Sequence, residues 1–278
     1  MAKIKKAWFC TSCGNESPKW MGKCPACGEG NTMVEEIVTK SPDNSALTSR
    51  VQSFLQGGGN ARPQPLPQVE SGQESRIMLG KGMPEGNELD RVLGGGLVKG
   101  SLVLIGGEPG IGKSTLSLQI PLFNEGLHTL YVSGEESAAQ IKMRAQRLGG
   151  AHSNCLVLSE TLLENILNEA RAAAPQLLVI DSIQTIYSQN IESSAGSVSQ
   201  VRECAAALLR YAKETGTPVI LIGHITKDGN IAGPKVLEHI VDVVLQFEGD
   251  SRHAYRILRS IKNRFGSTAE LAVYQMCS

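Results

Sequence analysis

A run of nine residues has the spacing of a loop that binds nucleotide phosphates: Gly107, Glu108, Pro109, Gly110, Ile111, Gly112, Lys113, Ser114 and Thr115. The run fits G-x-x-x-x-G-K-[ST], between an apolar strand pattern and a helical pattern. Glycines let backbone amides converge on a phosphate, and the helix N-terminus adds positive partial charge. Lys113 is expected to reach the β- and γ-oxygens of ATP, and the Ser114 hydroxyl to ligate Mg²⁺. The alternative is a chance glycine-rich turn.

Polar residues follow three other apolar runs, at the strand ends where a parallel sheet binds its ligand. Asp181 is predicted to hold Mg²⁺, through water. Glu135 is predicted to be the base for hydrolysis and Glu136 a support, the alternative being two solvated acids that open a helix. His224 could sense the γ-phosphate, although an isolated histidine is more often structural.

Four cysteines form two Cys-x-x-Cys pairs, each followed by glycine: Cys10, Cys13, Cys24 and Cys27. Four thiolates leave a tetrahedral metal no open position, so the pattern predicts structural zinc. A redox dithiol is the alternative, but one pair would suffice for that. Nearby lysines with Trp8, Phe9 and Trp20 form either a nucleic-acid surface or a small core. The other cysteines are expected to pack in the interior: Cys155, Cys204 and Cys277.

Composition indicates a soluble globular chain. Of 278 residues 41% are hydrophobic, and 27 basic side chains balance 27 acidic ones, which argues against purely electrostatic binding. No apolar run approaches the roughly 20 residues that span a bilayer. The N-terminus lacks the apolar stretch of a signal peptide, so no membrane partner and a cytoplasmic location are expected.

The chain divides into three parts by composition. Residues 1–32 form the cysteine module, and residues 33–75, with glycine and proline runs, are predicted to be a flexible linker. Residues 76–278 form the main domain, where strand-length runs alternate with amphipathic stretches. This alternation predicts an α/β fold with a mostly parallel sheet, extended by antiparallel strands after Val243.

Helix starts and one helix stop are also marked. Ser/Thr-x-x-Gln/Glu patterns at Ser137, Thr161 and Ser197 predict capping boxes. Pro121 should kink or stop its helix near Ile120, because it lacks an N–H and clashes with the preceding turn.

Together with the cysteine pairs and the phosphate loop, several further motifs resemble the RadA (Sms) family of bacterial DNA-repair proteins. They are Gly94-Gly95-Gly96, Tyr131–Ser137, Lys227-Asp228-Gly229, Ile231–His239 and Lys262-Asn263-Arg264-Phe265-Gly266. The resemblance covers essentially the whole chain outside the linker, and the last motif is highly specific to the family.

The resemblance implies a RecA-like P-loop ATPase core in a hexameric ring. Such a ring drives branch migration beside the RecA recombinase, on single-stranded and branched DNA. Lys262 and Arg264 would then reach the neighbouring subunit's ATP. Lys227 and Lys235 would face DNA in the channel, as would the segment Gln189–Ser199, although a plain mobile connection has the same composition. The family normally continues into a domain resembling Lon protease, which this chain is expected to lack.

The first functional hypothesis is therefore a DNA-dependent ATPase acting in recombinational repair, with ATP, Mg²⁺ and Zn²⁺ as its ligands. A second is a nucleotide-switched module that binds DNA or recruits partners and hydrolyses slowly. A third is a kinase or clock-type ATPase without a nucleic-acid role. The cysteine pairs are unexplained by the third, and Glu135 is not required by the second.

Overall fold

The computed structural model describes residues 5–38, 65, 76–80, 82–84, 86–149, 154–224, 237–249 and 254–276. Lys227, Lys235 and Cys277 lie outside these ranges, as does most of the predicted linker. The strands are β1 Lys5–Cys10, β2 Glu16–Ser17, β3 Met33–Val38, β4 Leu102–Gly107, β5 Thr129–Ser133, β6 Cys155–Ser159, β7 Leu177–Asp181, β8 Val219–His224, β9 Val243–Glu248, β10 Tyr255–Asn263 and β11 Leu271–Gln275. The helices are α1 Glu88–Val92, α2 Lys113–Phe123, α3 Ala138–Arg147, α4 Leu163–Ala173 and α5 Val198–Thr215.

An eight-stranded sheet forms the main domain, in the order β11-β10-β9-β4-β8-β7-β5-β6. The six strands from β9 to β6 in this order are parallel, and β10 and β11 continue the sheet antiparallel, as the sequence predicts. Because parallel strands end at the same edge, the residues after β4, β5, β7 and β8 come together.

Both faces of this sheet are covered. Along β4, Leu102 and Leu104 pack with α4 and α5, whereas Val103 and Ile105 pack with α1, α2 and α3. Such continuous apolar strands are typical of a sheet buried on both sides. Among the described residues, no helix is both long and apolar enough to cross a membrane.

The cysteine module has its own sheet, with β1 between β2 and β3. Strand β3 lies within the predicted linker, and its residues Met33–Val38 pair with Cys10–Lys5. The sheet therefore continues past residue 32. The reason is that backbone pairing with β1 orders a segment whose side chains have no strong apolar pattern.

Two of the three predicted helix caps are present. Ser137 Oγ accepts from the Gln140 amide, and the Gln140 side chain accepts from the Ser137 amide, which makes a complete capping box at α3. Ser197 Oγ accepts from the Gln200 amide at α5, 3.3 Å away. The Gln200 side chain instead accepts from the Ser188 amide, so that box is only half formed.

The predicted cap at Thr161 is wrong. Helix α4 has Leu162 at its N-cap and no side-chain cap. The Glu160 carboxylate accepts from the amides of Thr161 and Leu162, at 2.7 and 3.0 Å, both of which precede the first helical residue. Glu164, the other half of the pattern, accepts from Ser188 Oγ.

Helix α2 ends at Phe123, three residues past the predicted stop near Ile120, with Pro121 inside its last turn. Pro121 has no N–H to donate to the Ser117 carbonyl, so one intrahelical bond is missing near the end of α2. Asn124 Nδ2 donates to the Ile120 carbonyl at 2.7 Å and so serves one terminal acceptor.

Candidate functional site

The phosphate loop connects β4 to α2 with the backbone that its glycines permit. Gly110 and Gly112 have φ of 75° and 115°, values that a side chain would strain. A Cβ atom on Gly107 would lie 3.0 Å from Phe247 Cβ, an approach tighter than side chains ordinarily make. Lys113 Nζ donates to the Gly107 and Glu108 carbonyls at 2.9 Å each. The loop is therefore folded around the lysine that the sequence singles out.

Four predicted site residues meet at this edge of the sheet. In the strand register Gly107 is opposite His224, and Ser133 is opposite Asp181. Lys113 is buried, and this burial lowers its pKa. The negative charges of Asp181 and Glu135 raise the pKa in part, and the net value is about 8. Both carboxylates are thus close enough to act on the lysine. The arrangement has the cation and the carboxylates that bind a nucleoside triphosphate and its Mg²⁺ ion.

Glu135 is oriented by two neighbours across the sheet. Its Oε1 accepts from Ser182 Oγ at 2.6 Å and lies 3.3 Å from His224 Nε2. Burial raises the pKa of Glu135, but the hydrogen bonds from Ser182 and His224, with the charges of His224 and Lys113, lower it further, so the net shift is downward. Glu135 is therefore an ionised, positioned carboxylate that can accept a hydrogen bond from water.

The turn that carries Glu135 depends on Ser133 and Gly134. Ser133 Oγ accepts from the amides of Glu135 and Glu136. A Cβ atom on Gly134 would lie 2.1 Å from Thr185 Oγ1, so only glycine fits against β7 and its following turn. The local sequence thus fixes where the acidic pair leaves β5.

Asp181 is held by a residue that sequence reasoning did not single out. The Tyr131 hydroxyl donates to Asp181 Oδ2 at 2.6 Å, and both residues are buried. Burial and the Asp181 charge raise the pKa of Tyr131 well above its ordinary value, so the hydroxyl remains a donor. A fixed carboxylate at this position, with the Ser114 hydroxyl on α2, fits the oxygen ligands that Mg²⁺ prefers.

Glu136 does not join this cluster as a support for Glu135. Its carboxylate forms an ion pair with Arg144 on α3. The side chains of adjacent residues after a strand point in different directions. Here the Glu136 side chain reaches Arg144 on α3, not Glu135. The hydrogen bond that supports Glu135 comes instead from Ser182. In the sequence, only its position directly after Asp181 indicates that Ser182 lies near the site.

Lys262 and Arg264 lie at the opposite end of the parallel strands from the phosphate loop. Lys262 is paired with Val244 near the start of β9, whereas the phosphate loop follows the end of β4. Lys262 Nζ donates to the Val241 and Glu238 carbonyls, and Arg264 Nη1 donates to Asp242 Oδ1 at 3.0 Å. Neither cation contacts the phosphate loop of its own chain.

The four cysteine sulfurs form a cluster in which all lie within 4.8 Å of one another. Cys10 Sγ is 3.6 Å from Cys27 Sγ, and Cys13 Sγ is 3.5 Å from Cys24 Sγ. A tetrahedral zinc with bonds near 2.3 Å needs sulfurs about 3.8 Å apart. The ligand set therefore fits zinc, which would tie the two turns together.

The two cysteine turns are built alike. Gly14 N donates to the Cys10 carbonyl at 2.7 Å, and Gly28 N donates to the Cys24 carbonyl at 2.8 Å. Both glycines have positive φ, 72° and 75°. Backbone amides also point at sulfur, including those of Ser12 and Cys13 towards Cys10. This geometry suits thiolate ligands, whose charge the amides stabilise.

The cysteine module packs against α5 of the main domain. Glu36 on β3 accepts from the Val198 amide at 2.9 Å and from Ser199 Oγ at 2.6 Å, and so caps the helix. Arg202 donates to the Gly14 carbonyl. Phe9 is buried in the same core as α5, which favours the small-core alternative for this residue, whereas Trp20 is exposed.

We expect zinc removal to unfold the cysteine module and leave nucleotide binding intact, because the two sites share no ligand. The chain's two tryptophans, Trp8 and Trp20, both lie in the module. Their emission should shift to the red on chelation, while the affinity for a fluorescent ATP analogue stays within about twofold. A Cys10→Ser variant, red-shifted before chelation, is the control. Loss of nucleotide affinity together with the spectral shift would refute independence of the two modules.

Comparison with known proteins places these sites in a family. Residues 78–230 match the family model described as AAA domain, and residues 8–35 match the model described as Rubredoxin metal binding domain. The KaiC-like protein PH0186 from Pyrococcus horikoshii OT3 has a similar structure, with a TM-score of 0.55 and 20% identity over 72% of this chain and 98% of its own. The predicted RecA-like α/β fold behind a four-cysteine module is confirmed.

Curated relatives match over nearly the whole chain. DNA repair protein RadA of Bacillus subtilis (strain 168) is 52% identical over 99% of this chain, and that of Aquifex aeolicus (strain VF5) is 51% identical over 99%. The chain spans 59% of the length of these relatives. The chain therefore belongs to the AAA-domain family, and the resemblance to the bacterial RadA proteins that its motifs predicted is confirmed.

Proposed function

We propose that this chain is a DNA-dependent ATPase that acts in recombinational DNA repair. The observation that carries the proposal is the meeting of Lys113, Asp181, Glu135 and His224 at the carboxyl edge of one sheet. The name of the relatives, DNA repair protein RadA, supports the biological role.

The residues divide the work of hydrolysis. Lys113 neutralises charge on the β- and γ-oxygens, and Ser114 with Asp181 holds Mg²⁺, which supplies further charge stabilisation when bound. Glu135 orients water for attack on the γ-phosphorus and accepts its proton. His224 is within reach of Glu135 and can report to β8 whether the γ-phosphate is present.

Lys262 and Arg264 act on the nucleotide of a neighbouring subunit in a hexameric ring. Their place at the opposite end of the parallel strands supports this role, since they cannot serve the phosphate loop of their own chain. Positive groups from a neighbour stabilise charge on the transferring phosphoryl group. The ring would couple turnover to movement on single-stranded and branched DNA, and would promote branch migration beside the RecA recombinase.

Lys227 and Lys235 are proposed to contact the DNA backbone. Replacing both with alanine should weaken binding to single-stranded DNA of any sequence and reduce the steepness of its salt dependence. Each lost phosphate contact should lower the slope of log K against log salt by about 0.7. Fluorescence anisotropy across a salt series measures both quantities. Lys142→Ala, an exposed lysine on α3, is the matched control. An unchanged slope in the double variant would remove these lysines from the interface.

A further inference from the structure

The Lys262–Gly266 loop is anchored to the main domain by its own backbone and side chains. Asn263 Nδ2 donates to the Leu93 carbonyl at 3.2 Å. Gly94 and Gly266 pack so closely that a Cβ on Gly94 would lie 3.1 Å from Gly266 Cα. The loop therefore has a fixed position, and Lys262 and Arg264 can point in a fixed direction.

Asp242 lies beneath this loop as a buried carboxylate that accepts from three donors in the described part of the chain. Its side chain is only 2% exposed. Oδ2 accepts from the Leu102 amide at 3.1 Å and from Lys213 Nζ at 2.9 Å, and Oδ1 accepts from Arg264 Nη1 at 3.0 Å. A carboxylate fixed by a backbone amide gives the guanidinium a fixed point of attachment.

The main chain strengthens the same connection. The Asp242 amide donates to the Leu102 carbonyl at 2.9 Å, and the Arg264 amide donates to the Asp242 carbonyl at 3.2 Å. Leu102 is the first residue of β4, the strand that ends in the phosphate loop. Arg264 is thus tied through Asp242 to the central strand of its own domain.

Arg264 keeps donors for a second partner. Its bond to Asp242 uses one of the five N–H groups of a guanidinium. Its side chain remains 52% exposed. One side of the group is therefore held while the other faces outward, the geometry needed to present a cation to an anionic group on another molecule.

We propose that Asp242 is a positioning residue that aims Arg264 at the nucleotide phosphates of the neighbouring subunit. The inference rests on the proposed trans role of Arg264. Asp242 touches neither the nucleotide nor the attacking water, and acts only through the orientation of the arginine.

The first test is Asp242→Asn, which keeps an acceptor for the Leu102 amide and removes the charge that holds Arg264. We expect kcat for ATP to fall about 10- to 100-fold with KM unchanged, the cost of a misplaced group. Lys213→Met is the control, because it removes the other cation from Asp242 and leaves the Arg264 contact. Lys213→Met should retain parental turnover, and an equal loss in both variants would overturn the proposal.

Mixing experiments locate the defect on one side of the subunit interface. Asp242→Asn chains mixed 1:1 with Lys113→Ala chains should regain turnover, since about a quarter of interfaces join an intact phosphate loop to an intact arginine. Mixing Asp242→Asn with Arg264→Ala should regain none. If Asp242 served its own phosphate loop through Leu102, the first mixture would stay inactive, and that result would refute the proposal.

Two further measurements separate the possible failures. If Arg264→Ala mixed with Lys113→Ala regains no activity, the trans role itself is wrong and the inference falls with it. If that mixture recovers but the Asp242→Asn mixture does not, only the role of Asp242 is wrong. Arg264→Lys tests the same contact without touching the buried carboxylate. Its single nitrogen cannot replace the two-sided guanidinium, so turnover should fall about tenfold. Parental turnover in Arg264→Lys would also overturn the proposal.

Discussion

Replacing Lys113 with alanine should reduce ATP turnover on the order of 1,000-fold, the loss expected when a preorganised charge at a transferring phosphoryl group is removed. Lys113 is buried beneath the phosphate loop, close to both Asp181 and Glu135. Removing it leaves two carboxylates facing a triphosphate without that cation, so ATP affinity should fall as well. Release of inorganic phosphate and binding of a fluorescent ATP analogue measure the two effects.

Lys142→Ala provides the control for loss of a lysine elsewhere on the domain. Thermal unfolding of both variants then tests whether the fold is retained. Turnover by Lys113→Ala near that of the parent chain would remove the phosphate-loop assignment, whatever the affinity for nucleotide.

Glu135→Gln should separate nucleotide binding from hydrolysis. Glutamine keeps the volume and an acceptor for Ser182 Oγ but cannot take a proton, so kcat should fall about 100- to 10,000-fold while ATP affinity stays within about threefold. The pH dependence of the parent chain has a matching sign. The pKa of Glu135 is lowered, so the carboxylate is ionised at neutral pH and hydrolysis is lost only as pH falls through that lowered value.

Glu136→Gln is the matched control, one residue away. Its carboxylate forms a partly buried ion pair with Arg144 on α3 and has no place in the hydrolysis step, so turnover should stay within about threefold of the parent, the effect of losing about 0.6 kcal/mol. Equal losses in the two variants, or full turnover by Glu135→Gln, would contradict the assignment of the base.

Most of the candidate nucleotide site could be located from the sequence because its residues follow apolar runs directly. The phosphate loop, Asp181 and His224 stand at strand ends, and a parallel sheet brings such ends to one edge without any knowledge of side-chain contacts. Tyr131 and Ser182 were not singled out. Tyr131 reads as a core aromatic within a strand, and its hydroxyl contact with Asp181 depends on the order β7-β5, which periodicity does not reveal.

Local patterns were less reliable where a neighbouring side chain could compete. Thr161 does not cap α4, because the helix starts at Leu163, and the Glu160 carboxylate binds the Thr161 and Leu162 amides ahead of it. Pro121 lies two residues before the end of α2 at Phe123, so the observed stop is three residues beyond the predicted one. The contact between Glu36 and the N-terminus of α5 joins residues more than 160 apart, so no local pattern could predict that the cysteine module packs there.

The proposed function is tested most directly by ATP turnover with and without single-stranded DNA, across a salt series. We expect stimulation by DNA that fades as salt rises, because contacts to the DNA backbone release counterions from the strand. The Lys227→Ala, Lys235→Ala double variant should show less stimulation at every salt concentration, with unchanged turnover in the absence of DNA. Turnover that is indifferent to DNA at all salt concentrations, in a chain that binds and hydrolyses ATP, would contradict a DNA-dependent ATPase and favour a nucleotide-switched binding module.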